Sequence, residues 1–265
     1  MCVKKNIMKA LMIVGCMALL GGCGKDKKED AQQNSGQGAE QGQEVQEEVI
    51  PRKTFLVTQE KNYVGGALQG IIKYEYTDQG KLKKKSYLHA AGDVYEWEEY
   101  TDSEENANGL KAISHTADGA VEGWCEYLYD AQGGLIRQTY FDEFGFAGDW
   151  ERFENEYDAK GNLTKRTKFD CEGVIRNIVV YEYDGKGNKT KETEYSETDV
   201  LAGWTIYDLD AQGMATKATH YGADGTQLGW EEYVIDGDGN PTKVTFHEAD
   251  GSSDKYAEYE YVEKK

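Results

Sequence analysis

The stretch Tyr221-Gly222-Ala223-Asp224-Gly225-Thr226-Gln227-Leu228-Gly229-Trp230-Glu231-Glu232-Tyr233-Val234-Ile235-Asp236-Gly237-Asp238-Gly239 contains the whole grammar of the chain. It holds an aromatic residue, a Gly in a short polar loop, a Trp, an aromatic three residues after the Trp, and an Asp-x-x-Gly turn. Asp accepts a backbone hydrogen bond at the start of such a turn, and Gly takes the positive φ at its end. Asp-Gly between apolar runs is a hairpin signal. The segment between the two turns, Trp230 to Ile235, has strand composition.

Moving outward in both directions, the same grammar returns. Ile71, Trp97, Trp124, Trp150, Ile178, Trp204, Trp230 and Tyr256 are spaced by 26, 27, 26, 28, 26, 26 and 26 residues. Three residues after each stands Tyr74, Tyr100, Tyr127, Phe153, Tyr181, Tyr207, Tyr233 or Tyr259, and all eight positions are aromatic. A period this regular marks a repeat architecture. The Asp-x-x-Gly turn recurs at Asp130, Asp158, Asp184 and Asp210, and the second Gly at Gly92, Gly119, Gly145, Gly173 and Gly251. No segment after the N-terminus shows a sustained helical period.

Each unit is therefore expected to be two antiparallel strands, and the chain an all-β antiparallel meander of tandem units of about 26 residues. Alternation puts the Trp+3 aromatics on one face with Tyr76, Tyr129, Tyr183 and Tyr261. It puts the Trp residues on the other, beside Glu99, Glu126, Glu232 and Glu258. The second strands are expected to add one further stripe of Tyr87, His115, Tyr140, Phe169, Tyr195, Tyr221 and Phe246. A sheet of so many strands must twist, curl or wrap. A superhelix, a barrel-like wrap and a ribbon all satisfy the pattern, and an extended or superhelical sheet is the expectation taken forward. Ile71 and Tyr256, standing in Trp slots, suggest terminal units modified as caps.

The first residues carry a different message. Lys4, Lys5 and Lys9 precede an apolar run from Ala10 to Leu20, too short to span a bilayer and of the length of a secretory signal. Leu20-Gly21-Gly22-Cys23 resembles the lipobox of bacterial lipoproteins, which implies residues 1–22 as signal peptide and Cys23 as the lipidated N-terminus. Two acyl chains on Cys23 would make the membrane a partner through a stable anchor. Removal of residues 1–22 would take the formal charge from −19 to −22. Residues 23–50, rich in Gln, Gly, Glu and Lys, cannot bury a core and are expected to form a disordered tether, with residues 51–265 as the β-repeat domain. The expected location is the cell membrane, lipid-anchored and facing away from the cytoplasm.

Within the repeats, Tyr181-Glu182-Tyr183-Asp184-Gly185-Lys186-Gly187-Asn188 resembles the core of the YD repeats of RHS-type bacterial surface proteins. The stretch from Tyr221 through Trp230 to Tyr233 is similar to variant MORN-type repeats. Both resemblances imply antiparallel β-repeats with aromatic ladders over most of residues 70–262. Neither implies a set of binding residues.

The acidic balance, 49 Asp+Glu against 30 Lys+Arg, excludes a nucleic-acid backbone as partner. His89, His115, His220 and His247 occupy four different settings without metal spacing, so no metal and no cofactor are expected. Asp236 to Asn240 begins like a calcium loop but lacks its Gly and Glu, and is expected to be a turn. Cys125 and Cys171 fall out of register for a disulfide. Paired acids such as Glu98-Glu99 recur once per repeat, as a solvated face does, and no nucleophile motif or phosphate loop is present, so an enzyme is not expected. The aromatic stripes are the candidates for contact with a partner. Trp97, Trp124, Trp150, Trp204 and Trp230, which share their face with charged residues, are the candidate platform for a glycan, peptide or protein. The functional expectation is a displayed binding or adhesion module. A structural or assembly-accessory protein of the envelope without a small ligand is the alternative, and an envelope hydrolase a third.

Overall fold

The computed structural model describes residues 54–103 and 108–264. These form sixteen strands, and no helix occurs among the described residues. In chain order the strands are β1 (Phe55–Val64), β2 (Ala67–Tyr76), β3 (Leu82–His89), β4 (Val94–Asp102), β5 (Gly109–Thr116), β6 (Val121–Tyr129), β7 (Leu135–Asp142) and β8 (Ala147–Tyr157). There follow β9 (Leu163–Phe169), β10 (Ile175–Tyr183), β11 (Lys189–Tyr195), β12 (Leu201–Leu209), β13 (Ala215–Gly222), β14 (Gln227–Ile235), β15 (Pro241–Glu248) and β16 (Lys255–Glu263). Every strand pairs antiparallel with its neighbours in sequence, and β1 pairs with β16, so the sheet is a closed barrel. The extended or superhelical sheet expected from the repeat is thus replaced by full closure. Closure removes both edge strands, which a linear sheet of this length would leave unpaired.

The seam explains why the repeat closes. Tyr63 on β1 lies opposite Tyr256 on β16, with ring centroids 4.5 Å apart and planes 10° from parallel. The same stack joins the two strands within units, as in Trp204 and Tyr221 at 5.4 Å and 15°. β1 is therefore the second strand of a unit whose first strand is β16. Eight two-stranded units make the barrel, and one is assembled from both ends of the chain. Tyr256 is not a cap, because no terminal unit exists to be capped.

The turns form as their residues dictate. Asp158 Oδ1 accepts hydrogen bonds from the backbone N–H groups of Lys160 (2.8 Å) and Asn162 (2.9 Å), while Gly161 N–H donates to the Asp158 carbonyl at 3.0 Å. Gly161 has φ of 87°, a conformation that Gly adopts without strain. Asp130, Asp184, Asp210 and Asp236 build the same turn. Asp236 thus spends its carboxylate on the backbone of Asp238 and Asn240. These turns line one rim. The chain enters the barrel at that rim, where Lys264 N–H donates to the Thr54 carbonyl at 2.7 Å.

Alternation decides which side chains face the axis. On β2, Leu68, Gly70, Ile72, Tyr74 and Tyr76 are buried or half-buried, whereas Ala67, Gln69, Lys73 and Glu75 are exposed. The Trp+3 aromatics therefore point inward and the Trp slots outward. A barrel of sixteen strands is wide enough to leave space along its axis. No large side chain among the described residues is fully buried, so the inner face lines a lumen rather than a packed core. The second-strand stripe divides between the faces. Tyr87, Tyr140 and Phe246 oppose the lumenal Ile72, Cys125 and Glu231, while His115, Phe169, Tyr195 and Tyr221 oppose the outward Trp97, Arg152, Ile178 and Trp204. Tyr87 lies 13 residues after Tyr74, but Tyr221 lies 14 after Tyr207, and one residue is enough to move a side chain to the other face.

Candidate functional site

The lumen carries the densest constellation of chemistry. Tyr74, Tyr100, Tyr127, Phe153, Tyr181, Tyr207, Tyr233 and Tyr259 occupy equivalent register positions on alternate strands, forming a belt of rings around the inner wall. Carboxylates stand beside four of them, Tyr74, Tyr100, Tyr207 and Tyr233, and accept from their hydroxyls. Glu98 Oε2 receives hydrogen bonds from Tyr100 (2.6 Å) and Tyr87 (3.1 Å), and Glu60 Oε2 from Tyr74 (3.2 Å). Tyr233 donates to Glu231. Burial, followed by the charge of Glu98, pushes the Tyr100 phenol far above its ordinary range, and the same two causes act on Tyr207 with Glu192. These phenols stay protonated and remain donors. Burial works to raise the Glu231 carboxyl, but His220 and Tyr233 outweigh it and hold the group below the usual carboxylate range.

The inner wall also holds cations. Lys168 Nζ is 2.8 Å from Glu151, and Lys189 pairs with Glu192 while lying 4.6 Å from the Tyr207 ring centre. Lys85 lies 4.8 Å from the centre of the Tyr87 ring. Around His220 the arrangement is not repeated among the described residues. Its Nδ1 is 2.9 Å from Thr205 Oγ1 and its Nε2 is 3.6 Å from Glu231, beside a cavity of about 270 Å³ also lined by Leu228, Gly229, Trp230, Phe246 and His247.

A second tier of tyrosines braces the wall instead of facing a ligand. The hydroxyls of Tyr76, Tyr183 and Tyr261 donate to the carbonyls of Val57, Leu163 and Pro241 at 2.7, 2.7 and 2.8 Å. Tyr157 donates to Asp130 at 2.7 Å.

The five candidate tryptophans lie outside the lumen, and their faces are largely taken. Trp97 stacks on His115 at 3.7 Å and carries Lys84 Nζ 4.2 Å from its centre. Trp124 lies against Phe141 at 5.0 Å and Lys111 at 4.2 Å, and Trp230 against His247 at 4.7 Å and Lys217 at 4.9 Å. Trp204 stacks on Tyr221, and Arg137 lies 5.0 Å from Trp150. The close approach at Trp230 needs Gly229, where a Cβ would collide with the His247 carbonyl oxygen. Sequence spacing correctly separates the two aromatic faces but favours the outer one as platform. It misses the lumenal carboxylates Glu60, Glu98, Glu192 and Glu231, whose signal is their placement on the Trp+3 side of the alternation. Cys23 lies outside the described residues.

With this geometry in place, the comparisons give a fold. The barrel resembles a porin-like protein from Bacteroides uniformis, with a TM-score of 0.51 at 11% identity over 80% of this chain and 98% of that one. A porin-like protein from Bacteroides vulgatus aligns at a TM-score of 0.48 and 11% identity, over 78% of this chain and 98% of the other. A chain of the TcdB2-TccC3-TEV structure aligns at 0.30 and 12% identity, over 77% of this chain and 15% of that one. No family model matches the sequence. No curated protein matches it either. The likeness extends to the fold alone, a closed antiparallel β-barrel.

Proposed function

We propose that this protein is a cell-envelope β-barrel that binds a glycan inside its lumen, held outside the lipid by an anchor on Cys23. The observation that carries the reading is the inner belt of eight aromatic rings, four of which, Tyr74, Tyr100, Tyr207 and Tyr233, have a carboxylate at the hydroxyl. Flat rings stack against the C–H faces of sugars, and carboxylates and phenols supply acceptors and donors for sugar hydroxyls. The outer wall supports a position in water. It carries Lys73, Glu99, Lys111, Glu126, Arg152, Lys191, Lys217 and Glu258 along its strands, where a barrel embedded in lipid presents an apolar band roughly 25 Å tall. The likeness in fold to the porin-like protein from Bacteroides uniformis supports an envelope setting, and the Cys23 motif supports the mode of attachment. Replacing Cys23 by Ser is expected to move the protein from the membrane fraction to the soluble one, and retention at the membrane would refute the anchor.

The binding reading is tested by titrating the full chain against a panel of soluble cell-wall and host oligosaccharides. Tyr100→Ala and Tyr207→Ala are expected to weaken binding by about tenfold or more, through loss of the stacking surface. Trp124→Ala is expected to leave it unchanged. Binding that survives both Tyr changes but is lost with Trp124 would return the platform to the outer face.

A further inference from the structure

We propose that Arg166 is the anion-binding point of the lumen and that the glycan it receives carries carboxylates, as a uronate-bearing chain does. The proposal rests on the lumenal-binding reading and specifies its ligand. Arg166 points inward from β9. Its partners across the ladder are Asn155 on β8 and Val179 on β10, both uncharged. Its Nε donates to Asn155 Oδ1 at 3.1 Å, and it makes no ion pair with a carboxylate among the described residues. The nearby lysines differ: Lys168 and Lys189 each already hold an acid. A half-buried guanidinium without a counter-ion has donors to offer, and its fork matches a carboxylate through two parallel N–H bonds.

The surroundings fit a ring that bears the charge. The guanidinium carbon lies 5.9 Å from the centre of Phe153, and Tyr181, the next belt residue, makes no hydrogen bond through its hydroxyl to a described residue. Burial pushes the Tyr181 phenol up to about 12, with Arg166 pulling in the opposite direction, which registers the nearness of the guanidinium to this ring. An aromatic wall on either side of a forked donor suits a pyranose with its carboxylate in the plane of the ring. Dense polyanions are disfavoured, because Glu194 on β11 stands in line with Arg166 across Val179, and Glu151 on β8 and Glu192 on β11 share the same inner wall. Anions spaced one per sugar can place a charge at Arg166 and keep the others away from these acids.

The test is calorimetric titration of the full chain with oligogalacturonate and with its methyl ester, in which a methyl group replaces the charge of each carboxylate. The unmodified protein is expected to bind the acid roughly tenfold tighter than the ester, the preference shrinking with added salt. Arg166→Gln is expected to abolish the preference and leave ester binding in place. Val179→Glu sets a carboxylate opposite Arg166 without removing it and is expected to do the same, so the question stays open to decision even if Arg166→Gln fails to fold. Equal binding of acid and ester by the unmodified protein, or a preference that survives either change, would overturn the anion site while leaving the lumenal reading intact. Failure of both ligands to bind would overturn the uronate site, while the lumenal reading would stand or fall on the wider oligosaccharide panel.

Discussion

The turn aspartates set the response of the fold to acid. The Asp158 and Asp184 carboxylates accept backbone hydrogen bonds from Asn162 and Asn188 and then from the side-chain amides of the same residues. Both are held below the usual range. A carboxyl whose folded value is depressed stabilises the fold above its unfolded value, near 3.9 for Asp, and that contribution is lost as pH falls through the folded value. Glu231 in the lumen acts in the same direction. Melting temperature is therefore expected to be flat near neutrality and to fall below about pH 4. Asp184→Asn keeps an acceptor oxygen without the titration and should flatten part of that slope. A melting temperature unchanged from neutrality down to about pH 2 would refute the assignment.

At the scale of the strand, most of the structure is legible in the sequence because each local signal acts over a few residues. The Asp-x-x-Gly turns, the two faces of the first strand and the absence of crossover helices all follow from hydrogen bonds and alternation within one unit. The second strands are harder. Whether Tyr87 or Tyr221 faces the axis depends on a register fixed by bulges such as those between Glu75 and Tyr76 and between Asp208 and Leu209, together with the parity of the spacing across each hairpin. The lumenal acids were hidden for a related reason. Glu98 and Glu99 are indistinguishable as residues, yet one accepts from two tyrosines inside and the other stands outside with Trp97. Arg166 is likewise an ordinary basic residue until Val179 and Asn155 are seen to flank it.

At the scale of the molecule, closure was the step that no local signal could supply, because it depends on the end pairs of the chain finding each other. The repeat fixes what the units look like but not how many complete a circle. β1 meets β16 through nine Cα pairs, and the Tyr63–Tyr256 stack repeats the bond that holds the units elsewhere. Deleting residues 54–64 would leave fifteen strands, and β2 could meet β16 only in parallel. That variant is expected to expose two edges and to form oligomers on size-exclusion chromatography, with the monomer restored by a synthetic peptide of the missing strand. A stable monomer with an unchanged melting temperature would show that the seam is dispensable.

That seam also imposes an order of events on the cell that makes the protein. β1, made before the other fifteen strands, pairs at once with β2 but waits for its second neighbour until β16 has been made. Until β16 has been made, the nascent chain offers two hungry borders to whatever is nearby. Custody of the half-made polypeptide by a chaperone is then as much a condition of its folding as the barrel's own chemistry.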